Sequence, residues 1–161
     1  SNPLMTTPQW VDPWYHHGLI LGYVSDQNAY AMGGISGHAG LFSTVEDSAK
    51  LMKVWMYDTD PKMINRTTMT LFTTVANLTQ SSRALGWDTN DQSYRWCGSM
   101  SNRTFLHIGF TGTQLCGDPE DGIFTVLLAN ARYPDYHRDG MVTYRPIYNS
   151  LVSDLAHGFG K

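Results

Sequence analysis

The residues best suited to chemistry in this chain are histidines set among glycines. His107-Ile108-Gly109-Phe110-Thr111-Gly112-Thr113 puts an imidazole two positions before a glycine, inside a segment that reads as a strand. Imidazole is the side chain that exchanges a proton near neutral pH, which makes His107 a candidate for a site. Gly109 would let a substrate approach the main chain closely. The plain alternative for His107 is an ordinary packed histidine. His38 sits in the dense loop Gly33-Gly34-Ile35-Ser36-Gly37-His38-Ala39-Gly40, where its ring either pins the loop or lines a site. The loop lacks a following Gly-Lys-Ser/Thr, so it is not a phosphate cradle. His16-His17 has no partner at metal-ligand spacing and reads as a surface or interface pair, so neither a metal nor a cofactor is expected. Asp26 and Asn28 read as residues that make side-chain turns.

These groups need elements to hold them. The glycine loop feeds a first clear helix, with Ser43 as cap and Glu46 completing a capping box. Val45, Ala49, Met52 and Met56 share one helical face, with Leu51 and Trp55 beside it, and Asp60-Pro61 is the stop. A second helix is expected within 64–76. Short strands are expected at 84–88 and 94–97 around a polar turn, then at 105–110 and 113–117. Asp118-Pro119-Glu120-Asp121-Gly122 reads as a turn. The apolar run 123–129 reads as a central strand covered on both faces. A closing helix is expected over 146–158, begun by Pro146, with Ile147, Tyr148, Leu151, Val152 and Leu155 as its core stripe. Residues 1–33 read as irregular, and their many aromatics suggest packing on an absent N-terminal portion. Helices over 43–76 and strands over 84–130 are segregated, which indicates an α+β fold, an antiparallel sheet with flanking helices.

The bulk numbers bound the function. The chain has 161 residues, 42% hydrophobic and 16% charged, which is the size and composition of one globular domain. A net charge of -3 with scattered Lys and Arg gives no footprint for nucleic acid or an anionic membrane surface. No stretch approaches the roughly 20 apolar residues of a membrane span. Cys97 and Cys116 read as two free thiols, with one disulfide between neighbouring strands as the alternative. Sequons at Asn65, Asn77 and Asn102 mildly favour a eukaryotic secretory protein and carry no weight for a bacterial one.

Three segments together carry a resemblance. They are Gly22-Tyr23-Val24-Ser25-Asp26-Gln27-Asn28-Ala29 with the glycine loop running on to Thr44, then the His107 to Thr113 segment, then Asp118-Pro119 with Phe124-Thr125-Val126-Leu127-Leu128-Ala129-Asn130. In order and spacing the chain resembles the C-terminal part of β-lactamase-related serine hydrolases: class C β-lactamases, penicillin-binding-protein-like DD-peptidases and related esterases. That resemblance implies a β-lactamase/transpeptidase-like fold and a site of three motifs, Ser-x-x-Lys, Tyr-x-Asn and Lys/His-Thr/Ser-Gly. Only the third has a counterpart here, His107-Ile108-Gly109. The resemblance makes His107, Gly109 and Phe110 catalytic, with the Phe110 N–H as oxyanion donor, and Ile108, Thr111 and His38 substrate-binding. Ile108 replaces the usual hydroxyl residue, which weakens the case for β-lactam or D-alanine-peptide specificity.

No Ser-x-x-Lys and no Tyr-x-Asn occurs in the chain; Ser43-Thr44-Val45-Glu46 has Glu where Lys is needed. The expectation is therefore a serine hydrolase acting on a small amide or ester substrate through an acyl-enzyme, with the missing N-terminal portion of the same domain as partner. Such a fragment is expected to be inert alone and extracytoplasmic or secreted. The alternative is a catalytically dead homologue that works as a binding domain.

Overall fold

A computed structural model describes residues 11–12, 18–90, 95–134 and 140–158. Among the aromatics of the stretch read as irregular, Trp10, Trp14 and Tyr15 lie outside the described residues, as do the His16-His17 pair and the first residue, Tyr94, of the strand expected at 94–97. Val11–Asp12 (β1) and Gly18–Leu19 (β2) form an antiparallel pair. A five-residue helix, Gln27–Ala31 (α1), follows; the Asp26 carboxylate caps it by accepting the Ala29 amide at 2.8 Å. The stretch read as irregular thus contains regular elements, all too short for periodicity to reveal.

The first long helix, α2, is Val45–Tyr57. Thr44, not Ser43, is its cap, accepting the Asp47 amide at 3.1 Å, while Ser43 Oγ accepts from Ser48 Oγ at 3.2 Å. The helix ends at Tyr57, before Asp60-Pro61, because Asp58 turns left-handed with φ 55°. Its buried face is Ser48, Met52 and Met56, whereas Val45 is exposed. Helix α3, Arg66–Thr73, falls within the expected window and is capped by Asn65, which accepts the Thr68 amide at 2.9 Å.

Four antiparallel strands form the main sheet: β3 (Asp88–Thr89), β4 (Phe105–Ile108), β5 (Gln114–Asp118) and β6 (Ile123–Leu127), in that spatial order. The strand expected at 84–88 shrinks to β3, and residues 95–99 form a turn rather than a strand. β6 is an edge strand among the described ones, not a central one. Its apolar character still has a cause, since α2 packs on one side of it and the closing helix on the other. Alternation divides the sheet into two faces. Phe105, His107, Leu115, Phe124 and Val126 share the face toward α2, where Met52, Met56, Trp87 and Phe105 form a core with Trp55. Leu106, Ile108, Gln114, Cys116 and Thr125 share the other face, where Leu106 and Cys116 pack with Cys97 and Met100.

The closing helix, α4, is Met141–His157 and starts five residues before Pro146. Pro146 lies inside the helix, where it cannot donate to the Val142 carbonyl. Its buried residues are Met141, Arg145, Asn149 and Ser153, while Ile147, Leu151 and Leu155 are 52%, 53% and 58% exposed. The expected apolar stripe is therefore not the inward face, although it has the same four-residue spacing.

The cysteines are not free thiols: Cys97 and Cys116 form a disulfide that joins the 95–99 turn to β5. Beside it, the buried Asp118 carboxylate accepts the Ser101 amide at 2.6 Å, the Ser101 hydroxyl at 2.7 Å and the Glu120 amide at 3.0 Å. Burial pushes its pKa up, but the bonds from Ser101 and from the Glu120 and Asp121 amides outweigh that and hold it below the usual carboxylate value.

Two outcomes follow for stability. Replacing both Cys97 and Cys116 by Ala should cost roughly 3 kcal/mol in urea unfolding, the loop-entropy value for a bridge of this span. Asp118→Asn should cost about 1–3 kcal/mol at pH 7. Because folding depresses this carboxylate's pKa, its contribution is present above the unfolded value of about 3.9 and fades as pH falls through the depressed one. The gap between wild type and Asp118→Asn should therefore narrow in urea titrations at pH 3.

Candidate functional site

β3 covers β4 only at Phe105 and Leu106; from His107 onward that flank of β4 carries no partner strand among the described residues. His107 stands there exposed. Its Nδ1 lies 2.9 Å from the Ile108 carbonyl oxygen. A carbonyl only accepts, so in the neutral ring Nδ1 holds the proton and Nε2 is left as a lone-pair acceptor. The structure thus places an exposed imidazole beside an uncovered stretch of strand.

The next residues form a tight turn into β5. The Gly109 amide donates to the Thr113 carbonyl at 2.8 Å and the Gly112 amide to the Gly109 carbonyl at 3.0 Å. A Cβ at position 109 would collide with Thr113 Oγ1. The missing side chain of Gly109 therefore makes room for Thr113, not for a substrate as the sequence suggested. At Gly112, φ is +109° and a Cβ would lie 3.0 Å from that of Ala131, so this position too demands glycine.

Carbonyls of the turn are held from behind. Arg145 Nη2 donates to the Gly109 oxygen at 2.8 Å and to the Thr113 oxygen at 3.2 Å. Arg132 Nε donates to the Phe110 oxygen at 3.2 Å, and its guanidinium lies 4.3 Å from the centroid of the exposed Phe110 ring. The Ala131 amide donates to the Thr111 oxygen at 2.9 Å. Main-chain orientation at 109–113 is thus fixed by groups that sequence reasoning did not single out. The signal for Arg145 was available: Arg145, Asn149 and Ser153 repeat every four residues, in a helix whose apolar stripe drew the assignment instead.

Of the expected site residues, His107, Gly109, Phe110 and Thr111 share this hairpin. Ile108 is half-buried on the opposite sheet face from His107 and packs on the Cys97, Met100, Leu106 and Cys116 cluster. Its side chain serves the core and not, as expected, a substrate. His38 lies in the glycine loop, where its described polar contacts are to Asp26 and Ser36. No group of three or more His, Cys, Asp or Glu able to hold a metal occurs among the described residues.

A family model, curated relatives and a solved structure each match this chain. The model of the Beta-lactamase family matches residues 2–145. An Escherichia coli (strain K12) protein whose provisional name is D-alanyl-D-alanine carboxypeptidase is 36% identical over 118 residues, 69% of this chain and 27% of that protein. A Bacillus subtilis N-acetylmuramyl-L-alanine amidase is 36% identical over 121 residues, 71% of this chain and 27% of that protein. The chain thus spans about a quarter of the length of the curated relatives it matches. A crystal structure of a beta-lactamase from Mycobacterium bovis superposes with a TM-score of 0.60 at 23% identity, covering 73% of this chain and 46% of that one, which shows a shared fold.

Arg145→Met keeps an unbranched apolar stem and removes both hydrogen bonds to the turn. It should cost about 2–3 kcal/mol in urea unfolding, and the Gly109 and Gly112 amides should exchange faster with solvent deuterium than in the wild type.

Proposed function

This chain belongs to the Beta-lactamase family, and on that premise we propose that it forms the C-terminal wall of a serine hydrolase that cleaves an amide or ester through an acyl-enzyme. The observation that carries the reading is His107, exposed where β3 no longer covers β4, with Nε2 as the outward acceptor. A serine on another segment of the polypeptide attacks the substrate carbonyl. His107 Nε2 joins that serine's hydrogen-bond network and takes up a proton as the Oγ–C bond forms. The Phe110 N–H helps hold the oxyanion, and Thr111 and the glycine loop with His38 border the substrate.

The serine with its lysine belongs to the remaining portion of the same domain, which is this chain's partner in acyl transfer. The exposed Ile147, Leu151 and Leu155 of α4 offer that portion an apolar surface. The closed Cys97–Cys116 bridge supports an extracytoplasmic or secreted location. No described helix is long and apolar enough to cross a membrane. A non-catalytic binding domain is the second reading, favoured by the lack of Ser-x-x-Lys in these 161 residues.

The test is acylation by a fluorescent penicillin. The full polypeptide should be labelled at a serine outside this chain, and His107→Ala should slow labelling about 100-fold, the usual scale of a lost proton carrier. The 161-residue chain alone should take no β-lactam label. Equal labelling rates for wild type and His107→Ala would remove His107 from the mechanism, and no labelling of the full polypeptide at a serine outside this chain, by the penicillin or by a fluorophosphonate, would favour the binding-domain reading.

A further inference from the structure

The glycine loop, which the proposed function places beside the substrate, also contains an arrangement that this bordering role does not use. Ser36 Oγ lies 2.6 Å from His38 Nδ1, and His38 Nε2 lies 2.9 Å from Asp26 Oδ1. Hydrogen-bond roles along this row follow from the end that cannot vary. The Asp26 carboxyl is held below its ordinary value, chiefly by the Ala29 amide and next by His38, so it is ionised and only accepts. Nε2 must then donate to it. In the neutral ring this leaves Nδ1 as a lone pair, and the Ser36 hydroxyl must donate to Nδ1. A serine that gives its proton toward a base, with that base oriented by a carboxylate, is the general pattern of an activated nucleophile.

The surroundings allow a reactant in. His38 and Asp26 side chains are 48% and 37% exposed, and Ser36 is half-buried. A Cβ added at Gly37, between Ser36 and His38, would meet nothing within 4 Å. The loop is also anchored, since the Gly33 and Gly34 amides donate to the Tyr30 and Ala29 carbonyls at 3.0 and 2.8 Å, behind a helix capped by the same Asp26. Asp26 thus fixes both the loop's root and the histidine's orientation.

We propose that Ser36, His38 and Asp26 form a second, independent nucleophilic centre that accepts acyl groups from small activated aryl esters. Ser36 Oγ attacks the ester carbonyl carbon while its proton passes to His38 Nδ1. The bond from carbonyl carbon to aryloxy oxygen breaks, and the departing aryloxide takes the proton from Nδ1. Water then attacks the Ser36 ester, releases the carboxylic acid and restores the hydroxyl. Asp26 acts as a positioning residue by holding Nε2–H. This proposal departs from the expectation that the chain alone is inert.

The test is a fluorophosphonate probe, which forms an Oγ–P bond and expels fluoride with the serine's proton. The 161-residue chain should gain one adduct, mapped to Ser36 by peptide mass, and Ser36→Ala should lose it. His38→Gln separates the two roles of the ring. A glutamine amide can still donate to Asp26 and accept from Ser36, so the loop stays pinned, but it cannot take a proton. With its melting temperature preserved, His38→Gln should label about 100-fold more slowly. Asp26→Asn keeps the helix cap but no longer dictates the tautomer; it should label at least tenfold more slowly at an unchanged melting temperature. No adduct on the wild type, an adduct on another residue, or an undiminished rate in His38→Gln would each overturn the proposal. None of these outcomes bears on His107, whose test reads a β-lactam adduct elsewhere in the full polypeptide.

Discussion

Asn149 sits fully buried between α4 and the sheet, and the rest of the structure is arranged around its side chain. Its amide donates to the Gln114 Oε1 at 2.9 Å and to the Arg145 carbonyl at 2.8 Å, while its oxygen accepts from the Thr125 hydroxyl. Gln114 in turn donates to the Trp96 carbonyl at 2.8 Å. One polar seam thereby ties α4 to β5, β6 and the 95–99 turn. Burying so many polar groups is tolerable only when each finds a partner, which makes the seam a strict specification of how the helix lies. Gly98 shows how close the fit is: a Cβ there would collide with the Pro146 oxygen and Ser150 Oγ, and the Ser99 amide bonds that same Oγ at 3.0 Å.

That seam reaches the hairpin through Arg145, one helical turn before Asn149. With α4 fixed, its guanidinium can hold the Gly109 and Thr113 carbonyls only if the hairpin closes as it does. A rigid turn then delivers His107 to the open flank of β4 on the α2 face, with the aromatic packing of Trp55, Trp87 and Phe105 further along the same face. Pre-organisation of this kind holds the imidazole in place without a further ordering cost.

The two histidines illustrate different uses of one side chain. His107 spends its Nδ1 proton on the neighbouring carbonyl and offers Nε2 outward. His38 has both nitrogens engaged, one by a carboxylate and one by a hydroxyl. The partner at one nitrogen decides what the other can do. Sequence spacing shows neither partner, because the Asp26 contact spans twelve residues and depends on how the glycine loop folds back on α1.

Much was nonetheless legible in the residues alone. Segregated helical and strand patterns gave the α+β class, and the three spaced segments gave the family. The helices α2 and α3, the strands β4 to β6 and the Asp118 turn lay close to where periodicity and turn chemistry put them, because such signals are local. What failed was non-local. Position on the sheet made β6 an edge strand, and β4's alternation sent Ile108 to the core while leaving His107 exposed. In α4, two stripes with equal spacing competed, and hydrophobicity favoured Ile147, Leu151 and Leu155. Burial of Arg145, Asn149 and Ser153 instead was decided by Gln114, Thr125 and the hairpin carbonyls opposite them, whose hydrogen-bonding demands no single segment of sequence reveals.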